Sequence, residues 1–414
     1  MNKRIISLVV AMVMVLGVLV TPAIQAQSDS LEIWVPSGPE EAWMNMMAEK
    51  YEAETGTKVE VGIVEELDQP ERLSLDGPSG KGADVVGWPH DKLGKTIQQG
   101  LVTPVENYLP EGYAKDNFVD ESIEALTIDN KTYGLPYAYQ TTALLYNKDK
   151  YGEIPDTMMG LMKKAKSMTN DSQNEYGLLF DVGNFYFTGG IFYGYGAYTF
   201  KKNADGSYDT SDIGFGTQGA VKAARFIKKF RDMGVIPKGT TGQTAEGLFM
   251  EGKNASVITG PWKLADFLDS QALSEDNLGV APLPKLPNGN YPQQFTGVKG
   301  YYVSKFSDNK QAAADFIKFL TSAEGSKSHY DENRIIAPHT ELVNSSEFKN
   351  DELLYPFFKQ AKRGVLMPSV PEMAAFWDPA NNAMTFVLDG KATPKQVMPM
   401  TVQQIKQNVR MMNR

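Results

Sequence analysis

The chain has 414 residues, with 41 Lys+Arg against 50 Asp+Glu, a formal net charge of −9 and no cysteine. A surface of that sign does not attract nucleic acid or anionic lipid, and the missing thiols exclude disulfides, thiolate metal sites and cysteine nucleophiles. At 42% hydrophobic and 11% aromatic residues the chain can fill packed cores, and a prior of roughly 150 residues per domain suggests two or three domains.

Residues 1–26 read as a secretory signal. Lys3 and Arg4 precede an almost unbroken apolar run, Ile5 to Val20, and Thr21-Pro22-Ala23-Ile24-Gln25-Ala26 supplies small residues for cleavage after Ala26. An uncleaved anchor is the alternative, although the run is short for a bilayer span of ~20 residues. Without this segment, 39 Lys+Arg stand against 50 Asp+Glu, a net of −11. Lipid attachment through an N-terminal cysteine is not expected, so a free periplasmic protein is favoured, with retention at a Gram-positive surface as the other option.

Leu31–Val35 reads as a strand, and Pro39 fits the first turn of the helix that follows. Trp43, Met46, Met47 and Tyr51 are expected on its buried face, and Gly56 ends it. Lys58–Val61 returns as a strand and Ala83–Trp88 gives another. This alternation predicts a mostly parallel sheet with helices on its faces. Gly87 and Pro89 read as the stop of that third strand, leaving Trp88, His90 and Asp91 just beyond its end, where open α/β sheets bind ligands. An indole face and a carboxylate acceptor together suit a sugar. A helix over 92–99 ends at Gly100. Thr132–Tyr137 and Ala143–Asn147 are strand-like, and Met158–Ala165 is helical in pattern.

The stretch Phe185–Phe200 is dense in aromatics and glycine, and six tyrosine or phenylalanine residues at 185–195 suit either core or an aromatic ligand wall. Ala223, Phe226, Ile227 and Phe230 mark a helix closed by Gly234. Thr244–Met250 is a further helix. The strand Ala255–Ile258 runs into Gly260-Pro261-Trp262, a second glycine–proline stop before a tryptophan. Asp205-Gly206 reads as a hairpin tip, and Pro282 to Asn290 as a loop. Gly297–Ser304 is a strand, Asp308 a cap for the helix carrying Ala313, Phe316, Ile317 and Leu320, and Asp351–Lys362 a helix kinked or begun by Pro356. Met367–Pro371 is extended. The terminal helix opens at Thr393-Pro394 with a stripe of Met398, Val402, Ile405 and Val409. Of the three histidines, His339 beside Pro338 reads as a surface turn, and no set of ligands has metal-site spacing.

The strings Trp88-x-His90-Asp91, Leu145-Tyr146-Asn147-Lys148-Asp149, Tyr186-Phe187-Thr188, Gly260-Pro261-Trp262 and Met367-Pro368-x-x-Pro371-x-Met373-x-Ala375-Phe376-Trp377 run in this order along nearly the whole chain. In them the chain resembles the extracellular solute-binding proteins of ABC sugar importers, and among these the maltose/maltodextrin-binding proteins. The resemblance implies a two-lobed α/β fold of the periplasmic-binding-protein type. Each lobe is a mostly parallel sheet flanked by helices, and the ligand cleft lies between them. It places the N-terminal lobe at 27–138 plus 300–346 and the C-terminal lobe at 139–299 plus 347–414, with crossings near 138–142, 296–301 and 345–352. It implies sugar stacking by Trp88, Tyr186, Trp262 and Trp377, hydroxyl contacts from Asp91 with Lys92 as its basic partner, and apolar contacts from Phe187 and Met367. Gln140 and Asn184 stand where the family has cleft glutamates. Gly38 and Pro39 replace an acid–base pair for which Glu40 or Glu41 could substitute. Asp378 and Asn381 follow Trp377 where the family has an aromatic and a basic residue.

What the resemblance implies for function is capture of maltose or maltodextrin without chemistry, no cofactor, and delivery by hinge closure to the permease subunits in the membrane; a monomer is expected because the cleft accounts for the aromatic patches. Two other readings remain open. One keeps the fold and role for another oligosaccharide, such as a cyclodextrin or a galactan or arabinan fragment. The other is a secreted glycosidase using Asp91 with Glu372 or Asp378, which requires carboxyl groups about 5–9 Å apart.

Overall fold

Alternation along Ser30–Val35 divides its side chains between two cores: Leu31, Ile33 and Val35 enter one, Trp34 the other. The structure is a computed structural model that describes residues 30–204 and 206–412; the signal segment 1–26 and the hairpin residue Asp205 lie outside the described residues. Val85 and Val86 split the same way, as do Val303 and Tyr302. A sheet with both faces apolar must be covered on both, and it is.

That first sheet has seven strands. Val365–Leu366, Phe295–Ser304, Val85–Pro89, Ser30–Val35 and Lys58–Ile63 lie in this order, and Gly134–Gln140 and Val102–Thr103 also pair with Phe295–Ser304. The helix Pro39–Thr55 covers the first core with Trp43, Met44, Met47 and Tyr51, and Gly56 closes it at φ +78°. Met46 is 43% exposed. At about 100° per residue it falls on the far side of the helix, and Met44 takes the expected place.

The second sheet has three strands, with Ser256–Thr259 and Leu278–Ala281 flanking Ala143–Asn147. The chain leaves the first sheet at Gln140, enters the second at Ala143, and returns along Phe295–Ser304. Parallel pairing holds for Ser30–Val35 with its two neighbours. The strands that carry the chain out and back run antiparallel to each other, with Gly297 opposite Gln140, and the three-stranded sheet is antiparallel as well. A chain that exits a sheet and re-enters it beside its exit must pair antiparallel there. One continuous apolar cluster joins the second face of the first sheet, through Trp34, Trp88 and Leu126, to the helices of the second body, through Phe185, Phe226 and Met384.

Most predicted elements form, with local corrections. Gly87 does not stop the third strand: it runs Val85–Pro89 and ends at the proline, with Trp88 inside it opposite Gly300. The helix expected to start after Asp308 begins at Lys310 with Asn309 at the cap position. The helix expected from Asp351 starts at Tyr355, because the Asp351 carboxylate first accepts the Leu353 and Leu354 amides, and Pro356 then occupies the first turn. His339 is buried at the start of the helix Thr340–Asn344, its Nδ1 accepting from the Glu341 amide. In the terminal helix Pro394–Met412, Met398 and Ile405 face inward with Val397 and Thr401, while Val402 and Val409 are half-buried. Among the described residues no helix is long and apolar enough to cross a membrane.

Candidate functional site

Phe185–Phe200 holds the core of the site. Its first part is a helix, Phe185–Gly194, whose Phe185 and Phe192 are core residues while Tyr186 and Phe187 are half-buried. Two asparagines begin that helix. Asn184 Oδ1 accepts the Tyr186 amide at 3.0 Å, and Asn381 Oδ1 accepts the Phe185 amide at 2.8 Å. The side chains that depart from the family pattern are thus used to cap the helix presenting Tyr186.

Around Tyr186 the aromatics converge. Its ring centroid lies 5.7 Å from Phe187, 6.1 Å from Trp262 and 6.4 Å from Trp377. Trp262 follows the strand Ser256–Thr259 and is half-buried. It folds back over Gly260 so closely that a Cβ there would lie 1.8 Å from the ring, so only glycine fits. Trp377 opens the helix Trp377–Leu388 and is half-buried against Phe295. The space beside Gly297 on the returning strand brings in Met367 and the Tyr186 hydroxyl, at 3.5 and 3.7 Å from where a Cβ would sit. Met367 and Gln140 are buried.

From the seven-stranded sheet come Trp88, His90, Asp91 and Lys92. Trp88 is fully buried and lies flat on Tyr302, ring centroids 4.8 Å apart, so it is not the open platform its sequence context suggests. The reason is the register: glycine opposite Trp88 leaves room for the diagonal contact with Tyr302. The Trp88 Nε1 has no hydrogen-bond partner. His90 is structural. The Val298 amide donates to its Nδ1 at 3.0 Å, which leaves Nε2 to donate to the Met367 carbonyl at 2.9 Å. Burial pulls its pKa down to about 4, so the ring is neutral. It ties the end of Val85–Pro89 to both the returning strand and the Met367 segment.

Burial pushes the Asp91 carboxyl up to about 6; Lys92 and the neighbouring Trp377 side chain draw it down, and Glu66 adds to the rise. Tyr186 is raised by burial and by the Asp91 and Glu66 carboxylates. The two sheets therefore bring Asp91, Tyr186 and Trp377 into one electrostatic neighbourhood.

Two charged residues not singled out in the sequence, Glu66 and Lys299, belong to it. Glu66 meets Lys299 Nζ at 2.5 Å, across 233 positions of chain. Glu40, a candidate substitute for the lost acid–base pair, meets His329 Nε2 at 2.9 Å, and His329 stacks on Trp43 at 3.8 Å. Burial raises the Glu40 carboxyl, but His329, Lys299 and Asn333 outweigh it and leave its pKa lowered. Among the described residues no group of His, Cys, Asp or Glu has the arrangement of a metal site. Glu372 is half-buried and Asp378 exposed. Two well-formed surface hollows lie elsewhere. One of about 770 Å³ is lined by Glu106, Leu109, Tyr113 and Thr132, and one of about 290 Å³ by Tyr146, Lys148, Asp351 and Tyr355.

Residues 46–356 match the family of bacterial extracellular solute-binding proteins. The chain belongs to that family. Its similar relatives include a galactooligosaccharide-binding protein of Bacillus subtilis, 36% identical over 87% of this chain and 85% of the relative. A maltooligosaccharide ABC transporter solute-binding lipoprotein of Streptococcus pneumoniae is 32% identical over 92% and 89%. A crystal structure of a cyclo/maltodextrin-binding protein complexed with maltotetraose superposes with a TM-score of 0.83 at 40% identity, covering 92% of this chain and 97% of that one. The fold, like that of these neighbours, is two-lobed.

Proposed function

We propose that this protein is the substrate-binding component of an ABC importer, exported to the periplasm or cell envelope, where it captures maltose and longer maltodextrins between its lobes and hands them to the membrane permease. The observation that carries the reading is the convergence of Trp262, Tyr186 and Trp377 from the second lobe on Asp91 from the first. Aromatic faces take the apolar sides of glucose rings and the carboxylate takes their hydroxyls. Similarity to the maltooligosaccharide and cyclo/maltodextrin binders supports this substrate class.

The lobes are 27–138 plus 300–346 and 139–299 plus 347–414. Phe187 and Met367 supply apolar contacts, Lys92 balances Asp91, and Gln140 lies at the crossing. Asn184 acts through the helix it caps. Trp88 offers its N–H edge, since Tyr302 covers its face. A ligand that touches both lobes only when they are closed shifts the population toward that form, and the closed form is what the permease reads. The role needs no cofactor and no covalent step, and one chain suffices.

A second reading keeps the fold and changes the sugar: the galactooligosaccharide-binding relative shares 36% identity. A tryptophan-fluorescence titration separates the two. Saturable change with maltotriose, lost in Trp262→Ala, supports the α-glucan reading; saturation with galactobiose and none with maltotriose replaces it by the second.

A further inference from the structure

We propose that Glu66 and Lys299 form a further polar subsite of the sugar cleft, in which Glu66 Oε1 accepts a sugar hydroxyl and Lys299 fixes the carboxylate that does so. This rests on the oligosaccharide reading above and names the side chains that select a neutral, hydroxyl-rich ligand.

Glu66 lies on the loop between the strand Lys58–Ile63 and the helix Gln69–Asp76. Lys299 comes from the returning strand, where it stands opposite Pro89 on one side and Ala138 on the other, so it projects beside the turn that bears Asp91. Both side chains are largely out of solvent, at 12% and 17% exposure. Lys299 engages Glu66 Oε2. Glu66 Oε1 is buried and makes no hydrogen bond within the protein. The Tyr137 ring, stacked on Tyr301 at 4.1 Å, walls the carboxylate and, with Lys299, draws its pKa down, although burial leaves it raised.

A buried carboxylate oxygen left unpaired is a strong acceptor held ready. Trp88 Nε1 is its counterpart, a buried donor without an acceptor. The two belong to one neighbourhood, because Tyr302, which lies on Trp88, feels the carboxylates of both Asp91 and Glu66, and Tyr186 of the facing lobe feels the same pair. Lone acceptors and lone donors together call for groups that both give and take hydrogen bonds. Hydroxyls do; a carboxylate does not. The subsite therefore favours neutral oligosaccharides over uronate-bearing ones.

The test is calorimetric titration of the exported protein and of Glu66→Gln and Glu66→Asp with maltotriose, with Trp377→Ala as a reference. Both Glu66 variants should lose tenfold or more in affinity while melting as cooperatively as wild type. If either Glu66 variant fails to fold, carbon-13 NMR of the carboxyl groups in wild type decides instead: the Glu66 resonance should move on saturation with maltotriose, and an unmoved resonance overturns the subsite. Unchanged affinity in Glu66→Gln, with binding lost in Trp377→Ala, overturns the subsite and leaves the maltodextrin reading standing. No binding of maltotriose by wild type removes both.

Discussion

The Trp377 indole, at the head of the helix Trp377–Leu388, stands beside the Asp91 carboxyl just past the strand Val85–Pro89 and draws its pKa down against the rise that burial causes. An indole from one element and a carboxyl from another thus meet, and in the proposed reading they serve as sugar platform and hydroxyl acceptor. The account of binding by closure depends on that meeting.

Removing either open platform should weaken binding without unfolding the protein. Trp262→Ala or Trp377→Ala is expected to lower maltotriose affinity by roughly 30-fold, about 2 kcal/mol, as buried aromatic anchors do. Calorimetric titration reads this directly, and a loss below threefold in both would remove the stacking role.

Gly260 has no room for a side chain, since its Cβ would fall inside the Trp262 ring. Gly260→Ala should therefore displace the indole, shift the emission maximum and lower affinity by at least tenfold. Full affinity with unshifted emission would mean that the tight turn has no part in presenting Trp262.

Asn184 caps the helix that bears Tyr186. Asn184→Ala should destabilise the protein by about 1 kcal/mol, and Asn184→Asp should restore most of that, because aspartate caps equally well. Thermal melts at pH 7 check the pair. A direct ligand role would instead appear as lost affinity with unchanged melting.

Asp91 and His90 make opposing contributions in acid. The Asp91 carboxyl, raised to about 6 by burial, binds its proton more tightly folded than unfolded, so it penalises folding increasingly as pH rises from about 4 to 6. The His90 ring, lowered to about 4 by burial, binds its proton more tightly unfolded, so its contribution is complete above pH 6.5 and lost as pH falls toward 4. Wild type should show a shallow profile between pH 4 and 6.5. Asp91→Asn should uncover a rise in stability with pH, of order 3 kcal/mol, and His90→Gln a fall. Denaturant midpoints across that range test the signs, and parallel profiles for all three proteins would contradict both assignments.

Much of the fold was legible because strands and helices announce themselves locally. Val85 and Val86, the stripe Ala223-Phe226-Ile227-Phe230 and the glycine stops at 56, 100 and 234 were read correctly from spacing alone. Errors arose where a partner strand decides. Trp88 looked terminal beside Gly87 and Pro89, yet the neighbouring strand pairs through them and Tyr302 covers the indole. His339 looked exposed next to Pro338, yet Phe118 packs edge-on against it at 5.5 Å. The converging aromatics Tyr186, Trp262 and Trp377 were recognisable because each sits in a compact string. The Glu66–Lys299 pair was not, since its members come from a loop and a strand far apart in the chain, and nothing in either local sequence signals the other.

The most direct measurement is isothermal titration of residues 27–414 with maltotriose, with galactobiose as the matched control. Micromolar or tighter binding of maltotriose, with galactobiose inert, is the expected result. Tight binding of galactobiose with no heat from maltotriose would contradict the substrate assignment while leaving the two-lobed solute-binding fold in place.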